Sequence, residues 1–274
     1  MSSTSDSPSG GRAKHSIADD IDALADPDFM TSLARGLAVL RAFADSRQPQ
    51  TISQISQQTG IPRAAVRRCL HTLKQLGYVG AELNNFTLRP KVLTLGYSYL
   101  SSTPLTAAAQ ASLEELSKSL GESSSLAVLE EDQVLYVARA AASRVMSVSL
   151  SAGSRLPAYC SSLGRVLLAH LSHEDLDAYL ARTPLEARTE YTVTDPAALR
   201  DILAQVRRDG YAMISEELEL GLRSIAVPVR GASGQVLAAL NVGVQAARVP
   251  AERMREDFLP ILRRTAQDLA ALLP

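Results

Sequence analysis

The chain has no apolar run of about 18 residues, the length a helix needs to cross a bilayer, anywhere in its 274 positions. No membrane partner is expected. Cysteine is scarce: Cys69 and Cys160 each stand alone, which excludes a disulfide framework and a Cys-rich metal site. Neither a metal nor a cofactor is implied. Also missing are a G-x-S-x-G elbow, an H-E-x-x-H pair, a P-loop and a dinucleotide fingerprint, so the common catalytic signatures offer no purchase. Cys160-Ser161-Ser162, with His170 and His173 close behind, leaves only a remote alternative, a hydrolase-like enzyme using Cys160. No catalytic residue is assigned. The stretch 1–28 is rich in Ser, Asp, Gly and Pro and lacks the apolar centre of a secretory signal, so it reads as a disordered tail and the chain as cytoplasmic. No internal repeat is visible.

What is present is length enough for two domains and an uneven spread of charge. Between Met30 and Pro90 eight basic residues face two acidic ones, a balance of +6 inside a chain whose net charge is −1. The remainder carries −7. A basic module joined to an acidic body is the electrostatic outline of a DNA-binding domain with a separate regulatory domain.

Periodicity gives the organisation. Leu33, Leu37, Leu40 and Phe43 mark an amphipathic helix over 32–44, Ile52 and Ile55 a short second helix stopped by Gly60, and Val66, Leu70 and Leu73 a third from Pro62 to Leu76. Two β-prone pieces at 78–81 and 86–88 flank Asn84-Asn85, a turn pair that tolerates positive φ. This is the layout of a winged helix-turn-helix over 29–90. A linker helix follows over 91–121. From 122 to 274, strands at 125–129, 134–138 and 145–150 alternate with helices at 162–171, 173–181 and 196–208. A hairpin of 225–230 and 236–244 turns at 231–234, and a last helix runs over 251–273. The fold class is α+β.

On the third helix, Arg63, Arg67, Arg68, His71 and Lys74 fall on one arc, opposite Ala65, Val66, Cys69, Leu70, Leu73 and Leu76. An arginine near the start of such a helix suits the major groove, where it can grip guanine or a phosphate. The candidate DNA contacts are therefore Arg63, Ala64, Arg67, Arg68 and His71 on the helix. Asn84, Asn85 and Arg89 on the wing would touch the backbone. The duller reading is a solvated basic face, and a protein-docking scaffold is the third alternative. Cys69 reads as a small core residue.

Three segments, LARGLAVLRAFAD at 33–45, RLPAYCSSLGRVLLAHL at 155–171 and EELELGLRSIAVPV at 216–229, carry a resemblance to the IclR family of bacterial regulators that extends from about Phe29 to the end. The last two of these, together with residues 140–160 and 238–249, are most similar to the branch that controls aromatic-acid breakdown through protocatechuate and β-ketoadipate. An IclR-type regulator of an unrelated carbon-source pathway is the alternative. The resemblance implies a GAF-like sensor domain with an antiparallel sheet, built on a homodimer or tetramer that binds double-stranded operator DNA, with RNA polymerase as a further partner. The implied effector is a small carboxylate: protocatechuate, 4-hydroxybenzoate or β-ketoadipate. Carried over by position, its pocket is lined by Val145, Val148, Ser162, Leu163, Ile214, Leu222, Ser224, Asn241 and Gly243. Ile214 departs from members that carry an acid there, and Asn241 from members that carry Ser.

The residues themselves support a pocket without fixing its lining. The start of the helix at Ser161-Ser162-Leu163-Gly164 would aim backbone N–H groups at an anion. Asn241 lies in an apolar strand and must satisfy its hydrogen bonds through a ligand or through neighbouring backbone. Arg165 and Arg223 could meet an effector carboxylate or could pair with Glu216, Glu217 or Glu219.

Overall fold

A left-handed glycine, Gly60, sets the tight corner between two helices near the start of the chain's described part. The computed structural model describes residues 17–18, 21, 26–44, 46, 48–96, 104–142 and 150–271; they fall into two units, Met1–Ser98 and Tyr99–Pro274. In the first unit, helix α1 (Thr31–Arg41) precedes α2 (Ile52–Thr59) and α3 (Arg63–Gln75). Thr51 and Gln54 form a reciprocal capping box that opens α2. Gly60, at φ 74°, closes it, a conformation a side chain would resist. The corner brings Ile55, Ile61, Val66, Leu70 and Leu73 into one core with Val39 and Phe43. Strands β1 (Val79–Glu82) and β2 (Asn85–Leu88) form the antiparallel wing.

Three expectations in this unit change. The buried face of α1 is Ala38 and Val39, continued by Ala42 and Phe43, whereas Leu33 and Leu37 are more than half exposed. Both sets lie at helical spacing, and the sequence pattern alone picked the larger side chains. With Met30, Leu40, Cys69 and Leu76, these leucines line an open apolar groove between α1 and α3, so Cys69 is half-buried rather than core. Secondly, the wing turns at Leu83-Asn84, because Glu82 pairs with Asn85; Asn85 is therefore a strand residue. Thirdly, Ala18 and Ile21, in the stretch expected to be a disordered tail, are helical and buried in the core of this unit.

The second unit is built on a six-stranded antiparallel sheet of order β5-β4-β3-β8-β7-β6. Its strands are β3 (Ser123–Glu130), β4 (Gln133–Ala140), β5 (Arg155–Pro157), β6 (Ala212–Ser215), β7 (Leu222–Arg230) and β8 (Val236–Gln245). Helix α4 (Pro104–Leu120), expected to be a linker, buries Ala109, Leu113 and Leu116 in the core of this unit. The C-terminal helix α9 (Leu259–Ala270) packs on the same face of the sheet, where Leu240, Val242 and Val244 of β8 meet it. The other face carries α5 (Ser162–Ala169), α6 (His173–Arg182) and α7 (Pro196–Asp209). Strand residues alternate between faces, so β8 turns Ala239, Asn241 and Gly243 toward this second layer. The α+β class with an antiparallel sheet is as expected. The last helix is not continuous: α8 (Ala251–Arg253) passes through a π turn, Met254–Phe258, before α9. Pro260 cannot donate within a regular helix and its ring crowds the preceding turn, and the wider turn accommodates it. The expected strand at 145–150 lies, apart from Leu150, outside the described residues.

Helix α5 meets bare backbone. A Cβ on Gly164 would overlap the backbone of Ala158, which no rotamer change can relieve. Gly164→Ala is expected to destabilise the second unit by about 3 kcal/mol or more, at or beyond the upper end for an overpacked core, read as the loss of its urea unfolding midpoint.

Candidate functional sites

The first site is the outer face of α3. Val66, Leu70 and Leu73 hold one side of the helix in the core, which leaves Arg63, Ala64, Arg67, Arg68, His71 and Lys74 exposed on the rest. Among the described residues, Arg63, Arg67 and Arg68 form no ion pair or side-chain hydrogen bond. Three guanidiniums thus stand unneutralised within two turns. In the wing, Gly80 leaves room for Arg89, whose Nε would come within 3.3 Å of a Cβ there. The wing is braced near its tip by the backbone exchange between Gln50 and Phe86, at 2.9 and 2.8 Å, one strand pair below the turn. Asn84 and Asn85 are both exposed, one in the turn and one in the strand.

The second site is a cavity of about 250 Å³ between the sheet and the α5 layer. Of the expected residues, Ser162, Ile214, Leu222, Ser224, Asn241 and Gly243 line it. Leu163 does not, because one helical step turns it into the core beside Val166 and Leu167. Val145 and Val148 lie outside the described residues. The wall also holds Tyr136, Arg139 and Arg188, none of which the sequence singled out. Arg139 carried a signal of the same kind as Asn241, a polar residue in an apolar strand.

Two polar atoms here are buried without a partner: Arg139 Nε, a donor, and Asn241 Oδ1, an acceptor. Arg139 Nη1 donates to Ser125 Oγ at 3.0 Å, and burial pushes the guanidinium below its usual range. A half-buried cation so placed gains by meeting an anion. Burial lifts the Tyr136 phenol to about 12, so it stays protonated. Ser224 donates to Ser162 across the site at 2.8 Å. The α5 N-terminus is less open than expected, since Ser161 Oγ already accepts from the Gly164 N–H at 3.1 Å.

Arg165 and Arg223 are committed elsewhere. Arg165 grips Glu217 in a buried two-pronged pair at 2.7 and 2.5 Å, while Arg223 donates to the carbonyls of Ala246 and Val249 and to Ser215. Glu217 Oε2 also accepts from the Val193 N–H. Cys160 is wholly buried and its thiol is pushed up to about 11. The His170 ring is used at both nitrogens, by the Val166 carbonyl and by Arg230, so it is not held as a base for that thiol.

Two family models match: the IclR helix-turn-helix domain over residues 32–82 and the bacterial transcriptional regulator IclR C-terminal domain over 97–271. The chain is 54% identical over 245 residues to the Pca regulon regulatory protein of Pseudomonas putida, covering 89% of this chain and 84% of that one. It is 40% identical over 251 residues to the p-hydroxybenzoate hydroxylase transcriptional activator of Acinetobacter baylyi, covering 90% and 93%. The crystal structure of an IclR homologue from Microbacterium hydrocarbonoxydans complexed with 4-hydroxybenzoate matches with a TM-score of 0.77 at 30% identity, covering 88% and 98%.

The buried pair beside the cavity is testable by itself. Arg165→Met strands Glu217 and is expected to cost about 3–5 kcal/mol, whereas Arg165→Met with Glu217→Leu should recover most of that; urea unfolding of the single and double variants measures both.

Proposed function

The chain belongs to the IclR family of bacterial transcriptional regulators, and from that membership we propose how its two sites divide the work. It is a DNA-binding regulator of transcription whose relatives control aromatic-acid catabolism. In our reading α3 enters the major groove, where Arg63, Ala64, Arg67, Arg68 and His71 meet bases and phosphates, and Asn84, Asn85 and Arg89 of the wing meet the backbone. The exposed, unpaired arginines of α3 carry this assignment. A homodimer, which a palindromic operator calls for, would also cover the apolar groove of Leu33, Leu37 and Leu76. The protein acts in the cytoplasm, on promoters that RNA polymerase reads.

The cavity takes a small carboxylate, with the acid group on Arg139. The unpartnered Arg139 Nε and Asn241 Oδ1 are the observations that support this. A ligand with a carboxylate at one end and a hydroxyl donor at the other satisfies both, which favours 4-hydroxybenzoate or protocatechuate. Arg188 supports a second reading, β-ketoadipate, whose other carboxylate it would hold. Bound effector changes DNA affinity only if it prefers one arrangement of the dimer over another.

A thermal-shift comparison of the three acids discriminates these readings, because a ligand held by the folded state raises its melting point. The effective acid should lose at least tenfold in affinity on Arg139→Gln and on Asn241→Leu, each change removing a charged or buried hydrogen-bond partner. Unchanged affinity in both variants would remove the acid from this cavity. Arg67→Ala with Arg68→Ala should abolish operator retardation and leave the thermal shift intact. Loss of both signals would indicate unfolding instead.

A further inference from the structure

The tip of the wing is a leucine in a place that suits glycine. Leu83 has φ 54° and is fully exposed. In a two-residue hairpin turn whose first position has positive φ, glycine is the residue without a steric cost. Only two other non-glycine residues of the described chain share positive φ, Glu131 and Glu216. Glu216 is compensated: its carboxylate accepts from the Gly221 N–H at 3.0 Å, and its own N–H donates to the Leu222 carbonyl at 2.7 Å. Glu131 is polar and at home in water. Leu83 combines a strained backbone with an apolar side chain that touches solvent on every side. Both features lower stability, and among the described residues no hydrogen bond or side-chain contact of Leu83 offsets them. Such strain in a surface loop is a pointer to function.

The arm that carries Leu83 is stiff. Phe86 is half-buried in the core of the unit, Gln50 pairs with it through two backbone hydrogen bonds, and the Gln50 side chain donates to the Ala42 carbonyl at 2.9 Å. The Arg89 N–H donates to the Tyr78 carbonyl at 2.8 Å and closes the hairpin. Arg89 lies along the wing, and Glu82 is its one acid. A narrow, rigid arm whose single Arg and single Glu balance, tipped by one aliphatic side chain, is shaped for a nucleic-acid groove. The minor groove, about 6 Å wide, is walled by sugar C–H groups and admits apolar wedges.

We propose that Leu83 enters the minor groove next to the major-groove segment held by α3, packs against the sugars and the groove floor, and adds a preference for A·T pairs there. The guanine 2-amino group projects from that floor and would obstruct a leucine, whereas A·T pairs leave it clear. This rests on the reading of α3 as the DNA-binding helix and adds a determinant to it that carries no charge.

The test uses the full chain and an operator selected by it from random duplex. Leu83→Gly relieves the turn, so its melting point should match or exceed that of the unsubstituted protein. Its operator affinity should fall about tenfold, the scale of burying much of a leucine side chain. The dependence of affinity on salt should stay unchanged, because an apolar contact releases no counterions. Leu83→Asn, also at ease with positive φ, should behave as Leu83→Gly does, while Leu83→Met should retain most of the affinity. Replacing G·C by inosine·cytosine beside each half-site, which removes the 2-amino group, should strengthen binding of the unsubstituted protein and leave Leu83→Gly indifferent. Equal affinity of Leu83→Gly and the unsubstituted protein would overturn the role of Leu83 while the regulator reading stands. Equal gains from inosine would overturn its place in the minor groove. Failure of the unsubstituted protein to select any duplex would instead defeat the reading of α3.

Discussion

Two charges that water does not reach, Arg165 and Glu217, tie the second unit together around its cavity. Arg165 comes from α5, whose first residue, Ser162, lines the site. Glu217 comes from the loop between β6 and β7 that supplies Leu218 and Glu219 to its wall. The same carboxylate accepts from Val193, and the hydroxyl of Thr192 donates to the Glu217 carbonyl at 2.6 Å. One ion pair therefore fixes three separate stretches of chain. A buried pair is a poor source of net stability compared with apolar packing of the same volume, but it is unforgiving of misplacement. Its effect is to give the cavity one shape.

That shape is expressed through the sheet. Alternation along β8 sends Leu240, Val242 and Val244 into a dry layer beneath α4 and α9, and Asn241 and Gly243 into the cavity. Gly243 keeps the floor low, and its neighbour across the strands, Ser224, reaches Ser162. A ligand that meets Arg139 and Asn241 would complete hydrogen bonding that the residues of the cavity do not themselves supply. The two units therefore use charge in opposite ways: α3 displays unneutralised guanidiniums to solvent, and the cavity holds one in a desolvated wall.

Much of this was legible in the residues. The corner at Gly60 and the hairpin around 231–234 follow from local chemistry, Asn241 stood out as a polar residue in an apolar strand, and Ser224 came from the resemblance. The misses have a common source, which is that periodicity gives a face but not its partner. In α1, leucines and small residues both repeat at helical spacing, and only packing decides that Ala38 and Val39 go inward. Leu163 was one helical step from the wall, a difference that a resemblance by position cannot resolve. At the wing, Asn84-Asn85 has the better turn chemistry, yet the strand pairing of Glu82 with Asn85 places Leu83 at the bend. Arg139 escaped notice because an arginine near the end of a strand is ordinarily a solvent-facing residue.

The π turn at Met254–Phe258 has a consequence for how the end of the chain tolerates change. It carries one residue more per turn than a regular helix, which shifts the angular phase of everything after it. Phase is what lets Met254 and Phe258 before the proline and Leu262, Ala266 and Leu269 after it share one seam against the sheet. Removal of a single residue upstream of Pro260 would restore a regular spiral and rotate that seam toward water. Removal of Ala270 or Ala271, past the last seam residue Leu269, would leave that phase untouched, so the helix is length-sensitive before its seam and tolerant just after it.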